Sequence, residues 1–582
     1  MHARLTAAML WVAFLSLVQA AAAETASEAL NRIVEEYYEE QLVLNPVMAT
    51  FNGDHRFNDR FTVNISPQHR EQSLAVEKKY LAAIETIDPN ALAGQDRLTW
   101  DIFQRGRKDE IEGFKYPEHL IPVNQFFSVP NFAALMGSGN SAQPFKTVQD
   151  YDNWLKRVDG FAQWVDQAIV NMKEGVAKGV VQPRPIMEKV LPQLSAHVVT
   201  DSSMSMFYMP IANMPAEFSA ADRDRLAKAY AAAIRKTIVP AYKKLHDYIR
   251  DEYMPKTRQT IGLSALPNGE AWYAYNVAQS TSSTLSAKRI HEIGQQEVTR
   301  ISAEMDRVKA QIDAGTTEWP VKVTGNLGYD SADAMIAAYE QLRDRVHAAV
   351  PKLFHEFPKA DYEIRAVEEF RAQSSAGAHY MPASPDGSRP GVFYVNTVGW
   401  DKKTRQNNET LFIHEAVPGH HFQISIQREL EQLPRFRRFG GYTAYSEGWG
   451  LYAETIGKEL GVYQDPYMYL GSLESELFRA KRLVTDTGIH AMGWTREQAI
   501  EYLGGNVAEA ERYIVLPGQA LAYKIGQLKI SELRKRAEER LGPRFDVRDF
   551  HTEILKDGAL PLDVLETKVD RWLEGGAAAA AR

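Results

Sequence analysis

Long stretches of the chain repeat apolar residues at intervals of three and four, the spacing of one face of an α-helix. Trp154, Val158, Phe161, Trp164, Val165, Ile169 and Met172 form one such stripe, and Ile290, Ile293, Val298, Ile301, Met305, Val308 and Ile312 approximate a second. Both read as core-facing sides of long helices rather than binding surfaces. The stretch from Asp222 to Tyr253 has the same character but contains Pro240, whose missing backbone donor predicts a kink or break there. Strand signals are concentrated in one place, where His379–Pro382 and Gly391–Asn396 flank the turn-rich Ser384–Pro390. The predicted fold is mainly α: a large multi-helix domain with a small β-hairpin or sheet. Such an edge strand is either purely structural or a partner for an extended peptide, which it would recognise through main-chain hydrogen bonds.

Composition narrows the class. At 582 residues the chain is too long for one simple core, so 24–574 are expected to form one large helical unit, in one body or two lobes. A formal net charge of −8 gives no basic signature and argues against nucleic-acid partners. Residues 1–23 carry His2 and Arg4, an apolar run from Leu5 to Val18 and the small residues Ala20–Ala23, the pattern of a cleavable secretory signal. The apolar run is short for a membrane span of about 20 residues. With no cysteine there is neither a disulfide framework nor a cysteine to lipidate, so the expected location is periplasmic or secreted without a stable membrane anchor. Gly575–Gly576 and the alanine run after them predict a frayed tail over 575–582.

The chemistry is concentrated in Ile413-His414-Glu415-Ala416-Val417-Pro418-Gly419-His420-His421. In an H-E-x-x-H helix two imidazoles one turn apart share a metal, and the glutamate beside the first activates water. Here proline stands where the second histidine belongs. On an unbroken helix, a histidine six residues on would be rotated by roughly 600°, and one seven residues on would lie about 10 Å further along the axis. Neither could share an ion with His414. Pro418 cannot donate to the carbonyl of His414, and Gly419 tolerates unusual dihedrals, so a two-residue bulge would bring His420 into the ligand position. His421 stays open as the alternative. Asn407 or Asn408 is the expected N-cap of this helix.

A hydrolytic zinc needs a third protein ligand and an open position. Gly440–Glu454 offers two carboxylates: Glu447, in aromatic and glycine-rich surroundings, as the ligand, and Glu454 as a supporting group or a surface acid. Arg479, Arg482, Asp486 and His490 recur on one helical face. Arg479 or Arg482 could bind a substrate carboxylate and His490 could donate to an oxyanion, against the plainer reading of an Arg482–Asp486 pair on a solvated face. In Leu516–Gly526, Tyr523, two turns into a helix that starts after Pro-Gly, is a second candidate oxyanion donor.

Taken together, the pattern H-E-x-x-P-G-H, the segment Tyr445-Ser446-Glu447-Gly448-Trp449 and the segment Pro517-Gly518-Gln519-Ala520-Leu521-Ala522-Tyr523 resemble the bacterial family called domain of unknown function 885, over most of the chain after residue 23 and most strongly from about Tyr380 to Ile530. More distantly the arrangement is similar to helical zinc peptidases such as thimet oligopeptidase and the angiotensin-converting enzyme. That likeness implies a central cleft between helical halves, with the metal in it. The resulting expectation is a zinc metallopeptidase acting on short peptides, with His414, His420 and Glu447 on Zn2+, Glu415 as general base, and Tyr523 or His490 stabilising the charged intermediate. Manganese or cobalt would suit the same ligands. The other expectations are a metal- or peptide-binding protein without turnover, and a zinc hydrolase of ester or nonpeptide amide bonds.

Overall fold

The computed structural model describes residues 24–580 except 316–318, 321–326, 368–371, 373–376 and 384–389. The expected signal segment and nearly all of the turn between the two expected strands lie outside these residues.

Helices α1 (Ala26–Leu44), α2 (Pro67–Ile84) and α3 (Gly94–Gly113) close on one another through Leu30, Val34, Tyr80, Ile84 and Phe103. Helix α4 (Val148–Lys178) begins at a reciprocal cap, in which Thr147 accepts from the Asp150 amide and the Asp150 carboxylate accepts from the Thr147 amide. Every residue of the first apolar stripe is buried along it. The 222–253 stretch behaves differently from a broken helix. Helices α5 (Ala220–Ala233) and α6 (Val239–Tyr248) are joined by a π-turn over Ile234–Ile238, and a second π-turn over Ile249–Tyr253 follows. The widened turn makes room for the ring of Pro240, so the helix continues through it. Together α4 to α6 enclose one of the two largest apolar cores.

After α7 (Gly269–Thr281), α8 (Ala287–Asp313) carries the second stripe, with Ile290, Ile301, Met305 and Val308 buried and Ile293, Val298 and Ile312 half-buried against neighbours. Helix α9 (Ala332–Ala349) leads to a sheet of three strands, ordered β1 (Tyr362–Ala366), β3 (Gly391–Val395), β2 (Ala378–Met381). The expected hairpin is β2 antiparallel to β3, with Ala378 opposite Val395. Strand β1, which the sequence reading missed, runs parallel to β3, with Tyr362 opposite Gly391. All five residues of β3 are buried.

The sheet packs into the other large core with α10 (Asn408–Glu415), α11 (His420–Glu429), α12 (Thr443–Thr455), α15 (Ala522–Leu541), α16 (Val547–Leu555) and α17 (Leu562–Ala580). Between them in sequence, α13 (Pro466–Ala491) packs along α8 and α14 (Val507–Val515) follows it. Helices α12 and α15 cross backbone to backbone: a Cβ on Gly448 would lie 2.5 Å from the Cα of Gly526, and one on Gly526 would strike the Ala444 carbonyl. The last helix runs to Ala580, into the stretch expected as a frayed tail; alanine is the best helix former. The architecture is the mainly helical one with a small sheet that the patterning predicts. No helix among the described residues is long and apolar enough to cross a membrane.

Candidate metal centre

Where a bulge within one helix was expected, the helix ends. Helix α10 stops at Glu415; Ala416 (φ −101°, ψ −102°) and Gly419 (φ −75°, ψ −129°) leave helical space, the Val417–Pro418 peptide is cis, and α11 starts afresh at His420. A side chain at 419 would collide with the carbonyls of Ile413 and His414, so only glycine fits the tight return. The Trp449 indole donates to the Pro418 carbonyl at 2.7 Å and pins the turn to α12. Neither asparagine caps α10 with its side chain: Asn407 makes no capping bond and Asn408 takes the Tyr329 hydroxyl at 2.5 Å.

This return brings His420 to His414. Their rings stand nearly perpendicular with centroids 4.7 Å apart. Glu447 Oε2 lies 3.6 Å from His414 Nε2 and 3.3 Å from His420 Nε2, and one ligand atom from each residue falls within 4.8 Å of the others. Ligands at roughly 2.0–2.1 Å from a tetrahedral zinc stand roughly 3.3 Å from one another, so the two carboxylate edges fit such an ion. The same Glu447 oxygen is buried without a hydrogen bond of acceptable geometry, as is His420 Nδ1. An orphaned carboxylate oxygen between two imidazole nitrogens is the arrangement a divalent cation completes.

Helix α12 presents this site along one face. Glu447, Gly450 and Glu454 follow at spacings of three and four, and the His414 ring lies on Gly450, where a Cβ would approach it to 2.8–3.1 Å. From there Nε2 faces Glu447, while Nδ1 meets Glu454 Oε1 at 2.8 Å. Glu454 thereby fixes the tautomer that leaves Nε2 toward the centre once the ring is neutral. Burial works against charge on His414, but the Glu447 and Glu454 carboxylates outweigh it and push the imidazole up to about 10. Burial likewise opposes ionisation of Glu447, yet His420 and His414 hold its carboxyl well below the usual range. Side-chain exposures of 4% for His414, 13% for His420 and 20% for Glu447 set the open side of the centre. Glu415, next to His414 at the end of α10, is half-buried. Behind Glu454, a cavity of about 390 Å3 runs between α8, α12, α13 and α15.

A family model for bacterial proteins of unknown function (DUF885) matches residues 46–569. The chain belongs to this family. Among solved structures, a candidate lipoprotein from Colwellia psychrerythraea is 26% identical with a TM-score of 0.86, over 95% of this chain and 100% of that one. A candidate lipoprotein of unknown function from Shewanella oneidensis is 17% identical with a TM-score of 0.69, over 92% and 99%, a likeness of fold alone. A candidate oligoendopeptidase F from Bacillus anthracis str. Ames reaches a TM-score of only 0.29 at 10% identity, over 86% and 96%. No curated protein matches the chain.

In this DUF885 member several sequence-predicted residues lie elsewhere or do other work. His421 points away from the centre: Nδ1 meets the Tyr380 hydroxyl at 2.9 Å, the ring packs on Tyr362, and burial pushes its pKa down to about 4. His490 has no nitrogen to offer an oxyanion, because Nδ1 accepts from the Leu263 amide at 3.0 Å and Nε2 faces the Tyr513 carbonyl at 2.9 Å. Arg482 and Asp486 are both buried and do not pair. Arg482 faces Glu509 at 3.2 Å, while Asp486 accepts from the Tyr273 hydroxyl at 2.5 Å and from the Gly518 amide at 3.1 Å. Tyr523 sits in the first turn of α15, after a 3-10 turn over Gln519–Leu521, rather than two turns in. It is one turn before Gly526, and so close to the crossing where Gly448 follows Glu447; its hydroxyl accepts from Arg512 at 3.1 Å. Sequence reasoning missed Trp449 as the anchor of the turn and Gly450 as the seat of the His414 ring, although their place between two candidate carboxylates was a signal.

Proposed function

We propose that this protein is a zinc-dependent hydrolase that cleaves peptide bonds in short exported peptides. The observation that carries the reading is the convergence of His414 Nε2, His420 Nε2 and a Glu447 oxygen with no hydrogen-bond partner, beside Glu415. Those three residues would hold the ion, which when bound polarises a scissile carbonyl and acidifies water. Glu415 takes the proton of the attacking water and delivers it to the leaving amine nitrogen, the work of a general base that becomes a general acid. The Tyr523 hydroxyl, which accepts from Arg512 and keeps its own proton to give, donates to the oxyanion of the tetrahedral intermediate. His490 takes no part, since both its nitrogens are bonded to the main chain. Strand β2, at the edge of the sheet and tied to α11 through Tyr380 and His421, is the surface against which an extended peptide would lie. Export is read from residues 1–23, and two relatives of similar fold are named as lipoproteins, whereas this chain has no cysteine to carry a lipid.

The test is the variant Glu415→Gln. Zinc content by elemental analysis is expected to match the wild type, while cleavage of a mixed peptide library, followed by mass spectrometry, falls by roughly 100- to 10,000-fold. Wild-type protein that binds zinc but leaves peptides intact, with and without chelator, would refute peptidase action; turnover of ester substrates in the same assay would move the reading to another bond.

A further inference from the structure

Around Tyr523 three guanidinium groups meet a single carboxylate. Arg479 and Arg482 lie one turn apart on α13, with Cζ 5.6 Å and 4.4 Å from the centre of the Tyr523 ring, and Arg512 on α14 donates to its hydroxyl. The carboxylate is Glu509, 3.2 Å from Arg482 and 3.4 Å from Arg512. One acid against three arginines leaves the group with an excess of positive charge. Arg482 is 4% exposed, and its Nε and Nη1 are buried with no hydrogen-bond partner among the described residues; Arg479 Nε and Arg512 Nε are in the same state.

Two other buried cations of this chain are treated differently. Lys524, fully buried, is held between Glu297 at 2.8 Å and Glu476 at 2.7 Å. Arg157, equally buried, donates to the Arg60 and Phe57 carbonyls and to Thr50. A desolvated guanidinium with unmet donors is costly, and its planar fork matches a carboxylate. The cluster also has a way in. Arg512 is partly exposed and lies 5.3 Å from the centre of the exposed Phe126 ring, so an aromatic side chain borders the charge, and exposed Phe127 follows it in the chain. Tyr523 stands three residues before Gly526, whose backbone meets Gly448, the residue after Glu447.

We propose that Arg479, Arg482 and Arg512 bind the C-terminal carboxylate of a peptide substrate, with Phe126 and Phe127 against its last side chain. The assignment rests on the peptidase reading above and narrows it to peptides with a free carboxyl end near the cleaved bond.

Binding separates the two claims, because it needs no turnover. In the full-length Glu415→Gln protein loaded with zinc, calorimetric titration compares Ala-Ala-Phe, its C-terminal amide, and Ala-Ala-Glu amide, whose only carboxylate is on a side chain. The free acid is expected to bind roughly 10- to 100-fold more tightly than its amide. Arg479→Gln and Arg512→Gln should each erode that preference and leave the amide unaffected. Arg482→Gln should abolish it; if its circular dichroism shows misfolding, the Arg479→Gln/Arg512→Gln double variant decides instead. Equal affinity for acid and amide, or a preference that survives the double variant, overturns the proposal. Ala-Ala-Glu amide binding as tightly as the free acid overturns the C-terminal assignment in favour of acidic side chains. A carboxylate preference in a wild-type protein that cleaves none of the peptides leaves this site standing and removes the peptidase reading.

Discussion

His414 has a carboxylate facing each ring nitrogen, seven residues apart on one helix: Glu454 bonds Nδ1 at 2.8 Å, and Glu447 stands 3.6 Å from Nε2. The two acids have separate tasks. Glu447 faces the two imidazole Nε2 atoms, and Glu454 orients the ring that carries one of them. Glu454→Gln should therefore keep the fold but weaken metal affinity by roughly 10- to 100-fold, measured by competition with a zinc chelator. Unchanged affinity would reduce Glu454 to a neutral neighbour. At this scale the sequence was legible where chemistry is carried by side-chain identity: His420 reaches His414 across the Pro418-Gly419 pair, and Glu447, set apart by its aromatic and glycine-rich surroundings, stands with them. It was illegible where partners are main-chain atoms. The bonds that occupy His490 come from Leu263 and Tyr513, and a backbone amide or carbonyl leaves no mark in the sequence. His421 was separable from His420 only by knowing where Tyr362 and Tyr380 stand.

The next level up is set by glycines in α12 that serve different contacts. Gly450 takes the His414 ring and Gly448 takes the backbone of α15 at Gly526. Gly450→Ala puts a Cβ at 2.8–3.1 Å from ring atoms and should displace His414, lowering zinc uptake with little change in melting temperature. Gly448→Ala forces two backbones apart and should lower stability by about 1–3 kcal/mol, read by thermal or denaturant unfolding, whether or not zinc is present. The reverse pattern would mean that the two contacts have been misassigned. Elements were legible in proportion to their length. The stripes of α4 and α8 run for many turns, whereas β1 is a five-residue strand whose buried Tyr362 and Ile364 alternate with charged Glu363 and Arg365. That alternation is a strand signal, but it is too short to outweigh the charged residues. The break at 416–419 was visible as a fault in the helix, and its extent was not, because proline and glycine mark a departure without fixing where the chain resumes.

Across the whole molecule, helix α13 joins regions far apart in sequence. Asp486, fully buried, holds the Tyr273 hydroxyl of α7 and the Gly518 amide ahead of α15, so one side chain ties three elements, among them the helix that carries Tyr523. Burial drives its carboxyl up to about 7, while the bonds from Tyr273 and Gly518 pull the other way. A folded pKa above the unfolded value of 3.8 means that the native state binds more protons than the unfolded state between those limits. Its contribution to stability therefore declines as pH rises from about 4 to about 7 and is level above that, a total of roughly 4 kcal/mol. Asp486→Asn keeps an oxygen for both donors and removes the ionisation. The stability of this variant minus that of the wild type should increase with pH across that window and then flatten. Any cost of the new amide adds a constant offset, so the slope and not the absolute difference decides the matter. Denaturant unfolding of both proteins at intervals from pH 4 to pH 8 measures it, and parallel curves throughout would show that Asp486 is ionised in the fold at no cost.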